Sequence, residues 1–208
     1  YTEYEALAEQ EGFIVVHPTG IESADLPVFG VATGWELIDG LVSPTRDDIA
    51  FANALIDELV ANWCADANRI YSIGMSNGAL FTSTLVCAMA DRLAGAASVA
   101  GVYHSPSCAP NRPVPYLAFH AIDDGVVPYE TGGETIFPEL NESVFALGAF
   151  EAFAAFAAGF GCDPEPTASD LGVGTTRYEY LNCDGAIPMT FYATDSPADG
   201  HSWPGTSM

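Results

Sequence analysis

The 208-residue chain is 49% hydrophobic and only 16% charged, which suits one globular domain with a sizeable core and excludes a disordered chain. Its charge is lopsided: 28 acids stand against five arginines, with no lysine, for a net charge of −23. That excludes nucleic acid and anionic membrane surfaces as partners, because both need clustered cations. The acids are scattered, so they read as a solvated surface that suits high salt, where screening weakens self-repulsion.

No apolar run approaches the roughly 18 residues of a membrane span. The opening "YTEYEALAEQ" has no initiator Met, basic n-region or apolar h-region, and reads as the interior of a longer chain. Tyr4 to Gln10 is expected to be a short helix stopped by Gly12. "FIVVHP", Phe13 to Pro18, is a continuous apolar run of the kind that forms a buried parallel strand. Gly20 to Ser43, rich in Gly and Pro, reads as a long loop. Asp47 to Trp63 places Ile49, Ala52, Leu55, Ile56, Leu59 and Val60 at helical spacing, with acids in the first turn.

The pattern then repeats. Ile70 to Gly74 reads as a strand and Asn77 to Asp91 as a helix. Ala94 to Gly101 reads as a small-residue strand and Val114 to Ile122 as a buried one. Ser143 to Phe160 is a Phe- and Ala-rich helix ending at Gly161, and Arg177 to Leu181 and Met189 to Thr194 are further strands. Alternating strands and helices predict an α/β fold with a mostly parallel sheet and helices on both faces. Neither an internal repeat nor a domain linker interrupts residues 1–208, which read as one domain.

Between the strand at Ile70 and the helix at Asn77 lies "GMSNG", Gly74 to Gly78. A G-x-S-x-G pattern there places Ser76 on a tight turn above the carboxyl edge of the sheet, and the helix N-terminus offers backbone N–H groups to an oxyanion. The small neighbours Gly74 and Gly78 suit such a turn. A serine hydroxyl is a poor nucleophile without a base, and on this architecture the partners follow in the order Ser, acid, His. Of the four histidines, His17 precedes Ser76, and His104 and His120 precede the best acids. His120 reads as a packed strand histidine with a satisfied ring. His201, in the loop "ADGHSWPG", is in order. Asp123 and Asp124 end the strand at Val114 to Ile122 and are both in reach; Asp199 is a local alternative.

The five cysteines form no C-x-x-C pair, so a zinc site is not indicated. Cys162 and Cys183 flank a turn-rich segment and could close a 22-residue loop, counting both ends, as a disulfide in an oxidising compartment. The pairing of Cys64, Cys87 and Cys108 stays open, and an odd count leaves a thiol over. Asn141-Glu142-Ser143 matches an N-glycosylation sequon.

Together "GMSNG", "HAIDDGVVPY" and "GHSWPG" resemble the secreted esterase family that includes polyhydroxybutyrate depolymerases and feruloyl and acetylxylan esterases. The resemblance runs from "YEALAEQEGFIVVHPTG" to "HSWPG" and implies an α/β-hydrolase fold. It implies Ser76 as nucleophile, Asp124 as acid, since the family's acid stands four residues before the Pro of "VVPY", and His201 as base. Ala121 replaces the family's glycine after the strand histidine, a departure that bears on packing more than on chemistry. The resemblance further implies that strands before "FIVV", with an H-G segment completing the oxyanion hole, and a C-terminal helix are missing from this chain.

The resemblance implies a secreted serine esterase acting through an acyl-enzyme on feruloyl or acetyl esters of plant polysaccharides or on hydroxyalkanoate polyesters. The backbone N–H of Asn77 would be one oxyanion donor, and Trp203 would line a substrate subsite or pack under its loop. The loop Gly20 to Ser43 and the segment Gly132 to Glu139 would shape the site. No metal or cofactor is implied. A fragment or carbohydrate- or polyester-binding module that keeps the fold without activity is the alternative.

Overall fold

The computed structural model describes residues 4–23, 32–37, 47–195 and 200–203. Helix α1 (Tyr4–Glu11) is followed by a two-stranded antiparallel ladder, β1 (Ile21–Ser23) and β2 (Ala32–Gly34). Helix α2 (Asp48–Asn62) is capped by the Asp47 carboxylate, which accepts the Ala50 N–H at 2.8 Å and so satisfies one of the helix's open donors. Then come β3 (Tyr71–Met75), α3 (Asn77–Ala88), β4 (Gly95–Val99), β5 (Tyr116–Ala121), α4 (Ala149–Gly159), β6 (Thr167–Gly172), β7 (Thr175–Tyr180) and β8 (Met189–Thr194).

Six of these strands form one sheet in the order β3-β4-β5-β8-β7-β6. The run from β3 to β8 is parallel, and β7 and β6 extend it antiparallel. The register aligns Ala96, Tyr116 and Met189 in one row and Ser98, Ala118 and Phe191 in the next. Residues facing each other across a ladder share a face, and this face is the core. Ala52 and Ile56 of α2, Val86 of α3, and Phe153 and Phe156 of α4 all pack into it. Phe153 stands 5.2 Å from Tyr116 and 5.4 Å from Phe191, ring centre to ring centre. Tyr116 is buried to the tip; its hydroxyl bonds Ser83 and Ser98, each at 2.7 Å.

The opposite face carries Ile73, Ala97, Leu117 and Thr190 in register. Tyr71 and Ile73 are 60% and 46% exposed there, above a shallow cavity of about 310 Å³. Helices on both faces were the expectation; α2, α3 and α4 all pack on the first. Residues 13–18 also depart from expectation. They form no strand, and Phe13, Ile14 and Val16 are exposed. A parallel strand exists only by pairing its backbone with a neighbour, and the register pairs these residues with none of the described strands.

Three smaller differences have local causes. The helix expected from Ser143 begins at Ala149, because Gly148 takes an extended ψ of 165° as its N-cap. Residues 143–147 instead turn and bury Val144 and Phe145. The helix expected to reach Asp91 ends at Ala88 and gives way to a 3-10 turn at Ala90–Arg92. Strand β6, "TASDLG", has no apolar alternation because it is the exposed antiparallel edge.

A second cluster ties the loops together beyond the strand ends. It joins Leu80 from the first turn of α3, Tyr103 after β4, Val127 after β5, Leu37, and Phe137 and Phe145 from the segment that leads to α4. Two disulfides border the main core: Cys162–Cys183, as the spacing suggested, and Cys87–Cys108, which joins α3 to the segment after β4. Cys64 is free and exposed.

Candidate active site

The turn between β3 and α3 forces Ser76 into φ 54°, ψ −124°, a conformation that costs about 1–3 kcal/mol for a residue with a side chain. Several contacts hold it there. The Ser76 N–H donates to the Val99 carbonyl at 2.9 Å, and the Ser76 carbonyl accepts from Ala79 and Leu80 at 2.8 and 3.0 Å. A side chain at Gly74 would fall on the backbone of Gly78, whereas one at Gly78 would meet nothing within 4 Å. The first glycine of the pattern is therefore a steric requirement and the second is not. Gly101 also matters, since a Cβ there would stand 3.3 Å from the Ser76 carbonyl.

Asp124 follows β5, two strands along the chain from the elbow. It is buried, and its Oδ1 accepts the N–H groups of Val126 and Val127 at 2.8 and 3.0 Å. Neighbouring Asp123 is exposed. The loop after β8 brings His201 onto Asp124, with Nδ1 3.0 Å from Oδ2 and 3.1 Å from Oδ1. A carboxylate can only accept, so Nδ1 carries the proton and Nε2 is left as acceptor. That nitrogen lies 2.8 Å from Ser76 Oγ, which donates to it. Ser76, His201 and Asp124 thus stand in one hydrogen-bonded line, the arrangement a hydroxyl needs to lose its proton as it attacks. Asp199 lies outside the described residues, as do residues 24–31 and 38–43 of the Gly20 to Ser43 loop.

Two features of the site had no legible signal in the sequence, and a third, at His120, was only partly read. The Asn77 side chain clamps the backbone of Trp35: Oδ1 accepts the Trp35 N–H at 2.7 Å and Nδ2 donates to its carbonyl at 3.2 Å. Trp35 then stacks on Phe81 at 4.9 Å and 8°, which fixes the 32–37 segment beside the elbow. Gly200 has φ 74°, and a Cβ there would stand 2.7 Å from the Asp124 nitrogen. His120, in β5, is 2% exposed; its Nε2 donates to the Val127 carbonyl at 3.0 Å and sits 3.6 Å from Asp124 Oδ2. The ring is packed as expected, but Nδ1 has no hydrogen-bond partner. Burial pushes the pKa of His120 down, against the pull of Asp124, and keeps the ring neutral.

Trp203, two residues past His201, is half-buried with its ring 6.0 Å from that of Tyr4 at 83°. Among the described residues no group of three or more His, Cys, Asp or Glu side chains is placed to hold a metal ion, and no helix is long and apolar enough to cross a membrane.

A mostly parallel sheet with a strained serine between strand and helix, an acid after β5 and a histidine after β8 has the α/β-hydrolase fold. In sequence the chain is a relative of feruloyl esterases. It is 32% identical over 148 residues to feruloyl esterase B of Piromyces equi, covering 69% of this chain and 27% of that protein. It is 27% identical over 174 residues to feruloyl esterase C of Emericella nidulans, covering 82% of this chain and 55% of that protein. The chain therefore spans about half or less of the length of these curated relatives. The solved acetyl xylan esterase from Aspergillus awamori matches 98% of this chain and 78% of its own at a TM-score of 0.61 and 14% identity, a likeness of fold. No family model matches the chain.

Proposed function

We propose that the protein is a secreted serine carboxylic-ester hydrolase. Ser76 Oγ attacks the ester carbonyl while His201 Nε2 takes its proton. His201 then gives that proton to the departing alcohol, leaving an acyl-enzyme on Ser76. Water, activated by the same nitrogen, attacks the acyl carbon; the acid leaves and Ser76 regains its proton. Asp124 holds the tautomer of His201 and stabilises its cationic form. The backbone N–H of Asn77, first in α3, faces the developing oxyanion.

The observation that carries this reading is the 2.8 Å contact of Ser76 Oγ with His201 Nε2, on a ring whose other nitrogen is held by buried Asp124. The names of the relatives favour feruloyl and acetyl esters of plant polysaccharides as substrates; hydroxyalkanoate polyesters rest on the motif resemblance. Trp203 beside His201 is the aromatic side chain offered to such an acyl group. The two disulfides fit an oxidising compartment.

Turnover of p-nitrophenyl acetate and methyl ferulate tests the reading. The Ser76→Ala variant is expected to lose at least about 10³-fold in kcat, the scale on which triad members act. An unchanged rate in that variant contradicts the nucleophile assignment, and a wild-type chain that binds xylan or polyester without turnover favours a binding module.

A further inference from the structure

His120 stands behind the proposed acid, and nothing in the triad mechanism uses it. Its Nε2–H reaches the Val127 carbonyl at 3.0 Å. Val127 also donates its own N–H to Asp124 Oδ1, so His120 closes a ring through the loop 124–127 that carries the carboxylate. The same nitrogen lies 3.6 Å from Asp124 Oδ2, the oxygen that His201 Nδ1 approaches to 3.0 Å. The side chains of His120 and Asp124 are both fully shielded from solvent. A buried carboxylate thus lies between two imidazoles of different kinds. One is half-buried and reaches Ser76; the other is fixed in a strand and sealed from water.

From this juxtaposition we infer that His120 is a positioning residue: as a neutral donor it holds the 124–127 loop so that the Asp124 carboxylate meets His201 Nδ1 and not solvent. The inference rests on the triad reading for its catalytic consequence, but its geometric content does not. The groups that face His120 are Asp124 and Val127 of its own loop, His201 from the loop after β8, Tyr129 at 6.2 Å and Phe191 of β8 at 6.4 Å, ring to ring. None of these can replace its N–H to the Val127 carbonyl. Burial disfavours its cation, so it does not compete with His201 for the proton that moves in the reaction.

The test uses the full chain and two substitutions. His120→Leu removes the donor; His120→Gln can return an amide N–H to the place of Nε2. Circular dichroism establishes that each is folded. Nuclear magnetic resonance then reads the His201 Nδ1 proton, a signal that exists only while the ring is held by its carboxylate and that needs no turnover. The expected result is a downfield, slowly exchanging signal in the wild type and in His120→Gln, and its loss in His120→Leu. With p-nitrophenyl acetate, His120→Leu is expected to lose about 10- to 100-fold in kcat with KM within about threefold, the scale on which misplacement of a catalytic group acts. The acidic limb of its kcat/KM profile shifts, and His120→Gln restores both. A folded His120→Leu with the wild-type proton signal overturns the inference. So does a loss of kcat that His120→Gln fails to rescue while the acidic limb stays where it was, which is the mark of a merely structural residue. If the proton signal behaves as expected but Ser76→Ala keeps its activity, the proposed function fails and the positioning role of His120 stands.

Discussion

Two constraints meet at Gly200. Its φ of 74° is a conformation open to glycine and strained for any side chain, and the space a Cβ needs is filled by the Asp124 backbone at 2.7 Å. The residue lets the histidine loop lie directly on the acid loop, which is how His201 and Asp124 come within 3.0 Å beyond the carboxyl ends of two neighbouring parallel strands. Gly200→Ala is therefore expected to move His201 off Asp124 and to lower stability by about 1–3 kcal/mol, the cost of a strained backbone. Urea unfolding and esterase assay of that variant check both parts. A Gly78→Ala variant, with open space for its methyl, is the control expected to keep its stability within about 1 kcal/mol. At this scale the motif pattern "GMSNG" was only half informative. It located Ser76, but it could not say that Gly74 is pinned by backbone and Gly78 is not.

Among the elements, the strands that bury both ends of their run were legible and the ones that depend on distant partners were not. Residues 94–101, 114–122 and 189–194 are apolar or small because they lie in the middle of the sheet, so their sequences announce them; residues 70–74 form the parallel edge of the described sheet and were marked by the glycine-serine turn that follows. Strand β6 is an exposed edge held by pairing with β7 alone, so nothing in "TASDLG" marks it. "FIVVHP" failed in the opposite sense: the apolar run is there, but a parallel strand is defined by a neighbour that no single sequence reveals. Cys87–Cys108 was likewise unreadable, because disulfide pairing depends on how α3 returns to the segment after β4. The central strands carry their own prediction. Tyr116, between β4 and β8, has its pKa raised to about 12 by burial, against the pull of Ser83 and Ser98. Its unfolded pKa is about 10. The folded group holds its proton where the unfolded one has lost it, so its contribution is intact below about pH 10 and is lost as pH climbs toward 12. Melting temperature measured from pH 9 upward should fall in wild type and fall less steeply in Tyr116→Phe; equal slopes contradict the burial argument.

For the whole molecule, the charge of −23 sets the response to salt. The acids repel one another over a Debye length that shrinks from about 30 Å at 0.01 M to about 3 Å at 1 M. The compact state suffers more from this repulsion than the unfolded chain. Melting temperature is expected to rise between these two sodium chloride concentrations, and a flat or falling curve would mean that the acids are spaced too widely to matter. The same field disfavours anionic polymers at the site and leaves neutral glycans and polyesters unopposed. The order of motifs along the chain, serine then acid then histidine, was the most legible feature of all. It follows from topology: a sheet ordered β3-β4-β5-β8 puts the carboxyl ends of three separate strands beside one another, and the chain meets them in that order.

The central claim is that His201 makes Ser76 nucleophilic. A fluorophosphonate reports this directly, because it is attacked by an activated serine and leaves a stable adduct that peptide mass spectrometry can place. One adduct per chain is expected, on the peptide bearing Ser76, absent in Ser76→Ala and formed at least about 10²-fold more slowly in His201→Ala. An adduct on another residue with Ser76 unmodified, or a His201→Ala variant labelled at the wild-type rate, would contradict it.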